Sequence, residues 1–156
     1  MHLKTIVLVC STVLCSLTAN AQPTELDHYL VEQHILDAQY KIQNPQALAE
    51  ILDVLSDEDS RTFPYQVDQN TVLEQVQLYT DHIEVRGLII TPDFEQFVAD
   101  IGNHQVKHLL QKAMVNNCHH FFEHEFQKVN PYQLHMTLSS EKEVYTFEMK
   151  NSECKF

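Results

Sequence analysis

Near the C-terminus, polar and apolar side chains alternate in two runs. Tyr132, Leu134, Met136 and Leu138 take turns with Gln133, His135 and Thr137; after the stretch Ser139 to Lys142, Tyr145, Phe147 and Met149 take turns with Thr146, Glu148 and Lys150. A period of two is the repeat of a strand, whose successive side chains point to opposite faces. The pair therefore reads as a hairpin with one heavily apolar face. An isolated hairpin is marginal in water, so the rest of the chain must cover that face.

The cover is visible upstream. Val72, Val76 and Leu78 mark one strand, and after a turn near Asp81, Ile83, Val85 and Ile89 mark another, which Pro92 ends. Gly87 inside it predicts a bulge or a close backbone contact. Phe94, Phe97, Val98 and Ile101, then Val106, Leu109, Leu110 and Ala113, recur at helical spacing, giving a long helix kinked or broken at Gly102. Asn44 before Pro45 is a helix start, followed by Leu48, Ile51, Leu52 and Leu55. Thr24 to Ile42 also reads as helical, with Val31, Ile35, Ala38 and Ile42 on one stripe. The expectation is an α+β fold: an N-terminal helical hairpin, then β-β-α-β-β, with an antiparallel sheet packed on the long helix. Residues 22–60 form a helical N-terminal extension and 61–156 the α+β domain.

Residues 1–21 read as a secretory signal, with Lys4 in the n-region, apolar residues from Ile6 to Leu17, and Ala19-Asn20-Ala21 as the cleavage site. Cys10 and Cys15 follow bulky residues, unlike a lipid-anchor cysteine. The mature chain is then 156 − 21 = 135 residues, of a size for one domain, periplasmic or secreted, with no membrane span. The formal charge of −12 becomes −12 − 1 = −13 when Lys4 leaves. Such an excess repels phosphate backbones, which argues against nucleic acid, and favours a basic protein partner or simply solubility. The remaining cysteines, Cys118 and Cys154, lie 36 positions apart in a chain bound for an oxidising compartment. They are expected as a disulfide, the alternative being two free buried thiols.

The stretch Cys118-His119-His120-Phe121-Phe122-Glu123-His124 contains H-x-x-E-H, and its five residues resemble the inverzincin peptidase pattern. Those peptidases resemble larger domains with a third ligand far downstream, whereas only 32 residues follow His124, so the match is read as fortuitous. Two helical i, i+4 pairs, His104 with His108 and His120 with His124, are the alternative metal set, for Zn²⁺ or Cu²⁺. All four fall off the apolar stripes and are expected at the surface. Cys118 shares the face of Phe122 and Phe126, which directs its sulfur inward.

Pro64-Tyr65-Gln66-Val67-Asp68-Gln69-Asn70-Thr71-Val72-Leu73, followed by two strands, a helix, Cys118, a hairpin and Cys154, resembles a group of small secreted bacterial domains with the pattern P-x-x-V-D-x-x-T-x-L. The resemblance covers roughly residues 63–154. It implies an envelope location and a cysteine pairing but brings no agreed activity. Val129-Asn130-Pro131-Tyr132 departs from the glycine that often precedes the third strand there. Asp68 and Thr71 are expected to close the turn into the first strand.

There is no G-x-S-x-G serine and no glycine-rich phosphate loop, and Gly87 and Gly102 are the only glycines. The expectation is a non-enzymatic, cofactor-free module that binds a basic protein. Its candidate contacts are Asp57, Glu58 and Asp59, read as an exposed loop, and the outer carboxylates Glu123 and Glu125.

Overall fold

The computed structural model describes residues 22–156; the leader, with Cys10 and Cys15, lies outside the described residues. Helix α1 (Glu25–Glu32) begins at Thr24, whose hydroxyl accepts the Asp27 N–H while the Asp27 carboxylate accepts the Thr24 N–H, a reciprocal cap. It stops well short of Ile42. Asp37 is the cause: its carboxylate accepts the N–H groups of Gln39 and Lys41 and its carbonyl that of Tyr40, a local turn that outbids the helix. His34 and Tyr40 take positive φ, and Leu36 bridges back to Ile42. Helix α2 (Pro45–Ser60) starts as expected, with Asn44 Oδ1 accepting from the Ala47 N–H. It runs on through Asp57-Glu58-Asp59, so the acidic trio is the last exposed turn of a helix and not a loop.

Five strands follow: β1 (Tyr65–Gln66), β2 (Thr71–Leu78), β3 (His82–Ile89), β4 (Gln133–Ser139) and β5 (Val144–Lys150), in that order across one sheet. Between β3 and β4 lie α3 (Phe94–Ile101) and α4 (Asn103–Asn116), broken at Gly102, where φ is +87°. Asp68 closes the β1–β2 turn with its carboxylate on the Asn70 N–H, and Thr71 contributes its carbonyl, to the Val67 N–H.

The α+β order of helices and strands is as expected, but the pairing is mixed. β3 and β4 run parallel, with Ile83 beside Leu134 and Val85 beside Met136, while the other pairs are antiparallel. A helical crossover carries the chain back to the end of the sheet where β3 began, so the next strand enters in the same direction.

Both readings of Gly87 hold. A Cβ there would meet the Val72 carbonyl at 2.8 Å, and opposite it β2 slips register between Leu73 and Gln75. That bulge reverses the side-chain parity, so Leu73, and not Val72, joins Val76 and Leu78 against the core. Inward residues of β3, β4 and β5 share one continuous cluster with Leu30, Leu48, Leu52, Val106, Met114, Phe122 and Phe126. Residues 22–60 thus contribute to the same core as the sheet. Among the described residues no helix is long and apolar enough to cross a membrane.

Candidate functional site

Cys118 and Cys154 are joined, with Cα atoms 5.8 Å apart, and Cys118 is buried in the same core cluster as Phe122, although no helix places it there. The histidines after it are not on a helix. Cys118–His120 is a single 3₁₀ turn, and His124 is the extended residue before the short helix α5 (Glu125–Val129). H-x-x-E-H therefore has no common helical face. His120 is exposed and its ring lies against His119, with centroids 4.0 Å apart. His124 is half-buried, contrary to expectation. Its Nδ1 lies 2.8 Å from the Thr24 hydroxyl, which gives its one proton to Asp27 at 2.8 Å, so the imidazole donates. Its ring stacks on Phe126.

Asp27 is fully buried and holds this seam together. It accepts from the backbone and hydroxyl of Thr24 and from the Glu125 N–H, at 2.9 and 3.1 Å to its two oxygens, capping α1 and α5 at once. Burial pulls the His124 imidazole below its ordinary 6.5, against the opposing pull of the Asp27 and Glu123 carboxylates. The same seam corrects Glu125, which is half-buried and paired with Lys128 at 2.9 Å rather than offered outward. Glu123, like Asp57, Glu58 and Asp59, is exposed, and Glu58 meets Arg61 at 2.9 Å. His104 and His108 are exposed on α4. None of these four acids, and none of the four histidines of the alternative metal set, belongs to a set of three or more converging donors among the described residues.

The set that does converge is elsewhere. On the polar face of the sheet, His82 and Glu84 stand two residues apart on β3, and His135 on β4 is the register partner of Glu84. One donor atom from each lies within 4.8 Å of the others. The rings of His82 and His135 are 4.8 Å apart. Asp81 accepts from His82 Nδ1 at 2.8 Å, and Tyr79 stacks on the same ring at 4.3 Å. Tyr132, rooted in the core, hydrogen bonds through its hydroxyl to the carbonyls of Tyr79 and His82, both at 2.8 Å, and so ties down the turn that carries His82. Burial raises its phenol above the ordinary 10.

A second exposed feature is α3. It separates apolar from polar residues more sharply than α1, α2 or α4, yet none of its side chains is fully buried. Phe94 turns inward, edge-on to Tyr145. Phe97 and Ile101, one turn apart, remain 43 % and 39 % exposed. Asp93 and Asp100 lie along one side of them, exposed, while Glu95 turns away and accepts from the Ser140 hydroxyl in the β4–β5 turn, beside Glu141 and Glu143.

No family model matches the chain, and no curated protein does. Among solved structures it is similar to a "putative secreted protein" from Pseudomonas aeruginosa. The identity is 11 % and the TM-score 0.42, over 71 % of this chain and 96 % of that one. Neither fold nor function is taken from so distant a likeness.

His82, Glu84 and His135 went unnoticed in the sequence because they are not neighbours in it. The available signal was parity: His82 and Glu84 share one face of their strand, and His135 is on the polar side of its own. What parity lacks is which strands adjoin.

Proposed function

We propose that the chain is an exported, non-enzymatic protein-binding module of the bacterial envelope, an inhibitor or immunity factor for a basic partner. The observation that carries this is α3: an apolar strip, Phe97 and Ile101, left uncovered, with the exposed carboxylates of Asp93 and Asp100 along one side of it. Apolar area of this kind favours burial, and acidic rims favour a partner whose contact surface is basic around an apolar centre. The charge of −12 − 1 = −13 on the mature chain adds long-range steering that salt weakens. The acidic turn Asp57-Glu58-Asp59 extends the same field without a shape of its own. The leader, the paired cysteines and the resemblance around Pro64 to Leu73 support the exported location.

The test is affinity capture from envelope extract of the source organism, comparing wild type, Phe97→Asp and the double charge reversal Asp57→Lys/Asp59→Lys, at low and high salt. A basic protein held by wild type at low salt, released by salt and lost on Phe97→Asp is the expected result. Capture that survives Phe97→Asp but is lost on reversal at Asp57 and Asp59 moves the contact to the end of α2. No specific partner at low salt overturns the reading.

A further inference from the structure

We propose that His82, Glu84 and His135 form a mononuclear Zn²⁺ site on the open face of the sheet. The donor set is two imidazoles and one carboxylate. That combination suits borderline divalent ions, and it is too nitrogen-rich for Ca²⁺ or Mg²⁺ and lacks the thiolate that selects Cu(I). Donors bound at about 2.0–2.2 Å on a tetrahedral ion stand about 3.3 Å apart, so three atoms within 4.8 Å need only side-chain rotation to close on it. The strands need not move: His82 and Glu84 are fixed by alternation on β3, and His135 by its ladder pairing with Glu84.

Two further observations point to a ligand. First, Asp81 accepts from His82 Nδ1 at 2.8 Å, which fixes the proton there and turns the Nε2 lone pair free. That Nε2 is 3.8 Å from Glu84 Oε1, too far for a hydrogen bond but toward the same point. A carboxylate behind a ligating histidine is the usual support of a zinc site, where it orients the ring and raises its basicity. Second, the positioning is held from the core, through Tyr132 and the carbonyls on either side of the turn, and from outside by the Tyr79 ring.

Three protein donors on one side of the ion leave the solvent side for water or for a donor from another molecule. Glu148, the ladder partner of His135, projects from the same face of the sheet but is not among the converging donors.

The experiment is isothermal titration of metal-stripped, disulfide-intact protein with Zn²⁺, with Ca²⁺ as control, on wild type, His135→Gln, Glu84→Gln, Asp81→Asn and His120→Ala. One Zn²⁺ per chain is expected. Affinity should fall at least about 100-fold for His135→Gln and about 10- to 100-fold for Asp81→Asn, with His120→Ala unchanged. Nitrogen-detected imidazole spectra, in which His82 Nε2 shifts on Zn²⁺ addition while Nδ1 keeps its proton, separate ligation from any loss of fold. No saturable zinc binding, or binding indifferent to His135→Gln, overturns the site. Cu²⁺ should bind these nitrogen and oxygen donors more tightly than Zn²⁺ in any case, so the ion is assigned by metal analysis of protein isolated from its own compartment; copper there in place of zinc keeps the site and overturns the assignment of the ion.

Discussion

Two neighbourhoods in this protein pair histidine with a carboxylate, and they differ in what is left over. At the seam between the N-terminal helix and α5, both oxygens of the buried Asp27 are taken by Thr24 and the Glu125 N–H, and Thr24 in turn holds Nδ1 of His124, behind buried aromatic rings. On the sheet, Asp81 occupies only one nitrogen of His82, while the other faces Glu84 and His135 across open space. The same residue types make structure where the carboxylate is buried and saturated by donors of the chain, and a site where a carboxylate and two imidazoles converge without bonding one another. What the carboxylate still has to offer, rather than the count of histidines, tells the two apart.

The largest expected effect lies on the structural side. Replacing Cys118 and Cys154 by alanine releases a 36-residue closure and should cost about 4 kcal/mol in urea unfolding by the chain-entropy relation. Intact mass of native protein two hydrogens below the reduced value is the companion check, and two freely alkylated cysteines would remove the premise. Next, Asp27→Ala should cost about 3 kcal/mol, because two helix caps lose their acceptor and buried N–H groups go unpaired. Glu84→Ala, by contrast, should stay within about 0.5 kcal/mol, as befits an exposed-face position. Equal losses at Asp27 and Glu84 would erase the distinction between the two neighbourhoods.

The smallest effect is a pH slope. With His124 titrating below its ordinary 6.5 when folded, the unfolded chain binds more protons just below that value. Stability from this group is therefore present above 6.5 and is lost as pH falls toward the folded value. Burial sets the depth of that shift, with the Asp27 and Glu123 carboxylates pulling against it and Lys128 adding to it. Denaturation midpoints measured between pH 7 and pH 5 should fall more steeply for wild type than for His124→Gln, and identical slopes would put the ring outside the protonation balance.

Much of the fold was legible, and the limits have physical causes. The β4–β5 hairpin was readable because each strand has one buried and one wet face, so alternation is a direct image of burial. Gly102 and Gly87 were readable as positions where a side chain strains or collides. The helix read through Ile42 failed because Asp37 offers the backbone closer partners, a competition that apolar spacing does not register. The parity of Val72 failed at a bulge, which shifts everything before it by one residue. His82, Glu84 and His135 depended on a non-local pairing, and the antiparallel sheet expected from two hairpins would have set His135 against a different residue.

The parallel register at the centre of the sheet has a consequence for how the chain is made. Each hairpin closes over a short loop, but β3 and β4 join residues 133 − 82 = 51 positions apart, from His82 to Gln133, so their union is the step with the largest loss of chain entropy. A chain emerging N-terminus first completes β2 and β3 long before β4 arrives. During that interval one edge of β3 carries unsatisfied backbone groups and an apolar face with Ile83 and Val85 on it. The moment of greatest danger for this protein is therefore a half-finished sheet waiting for its second hairpin.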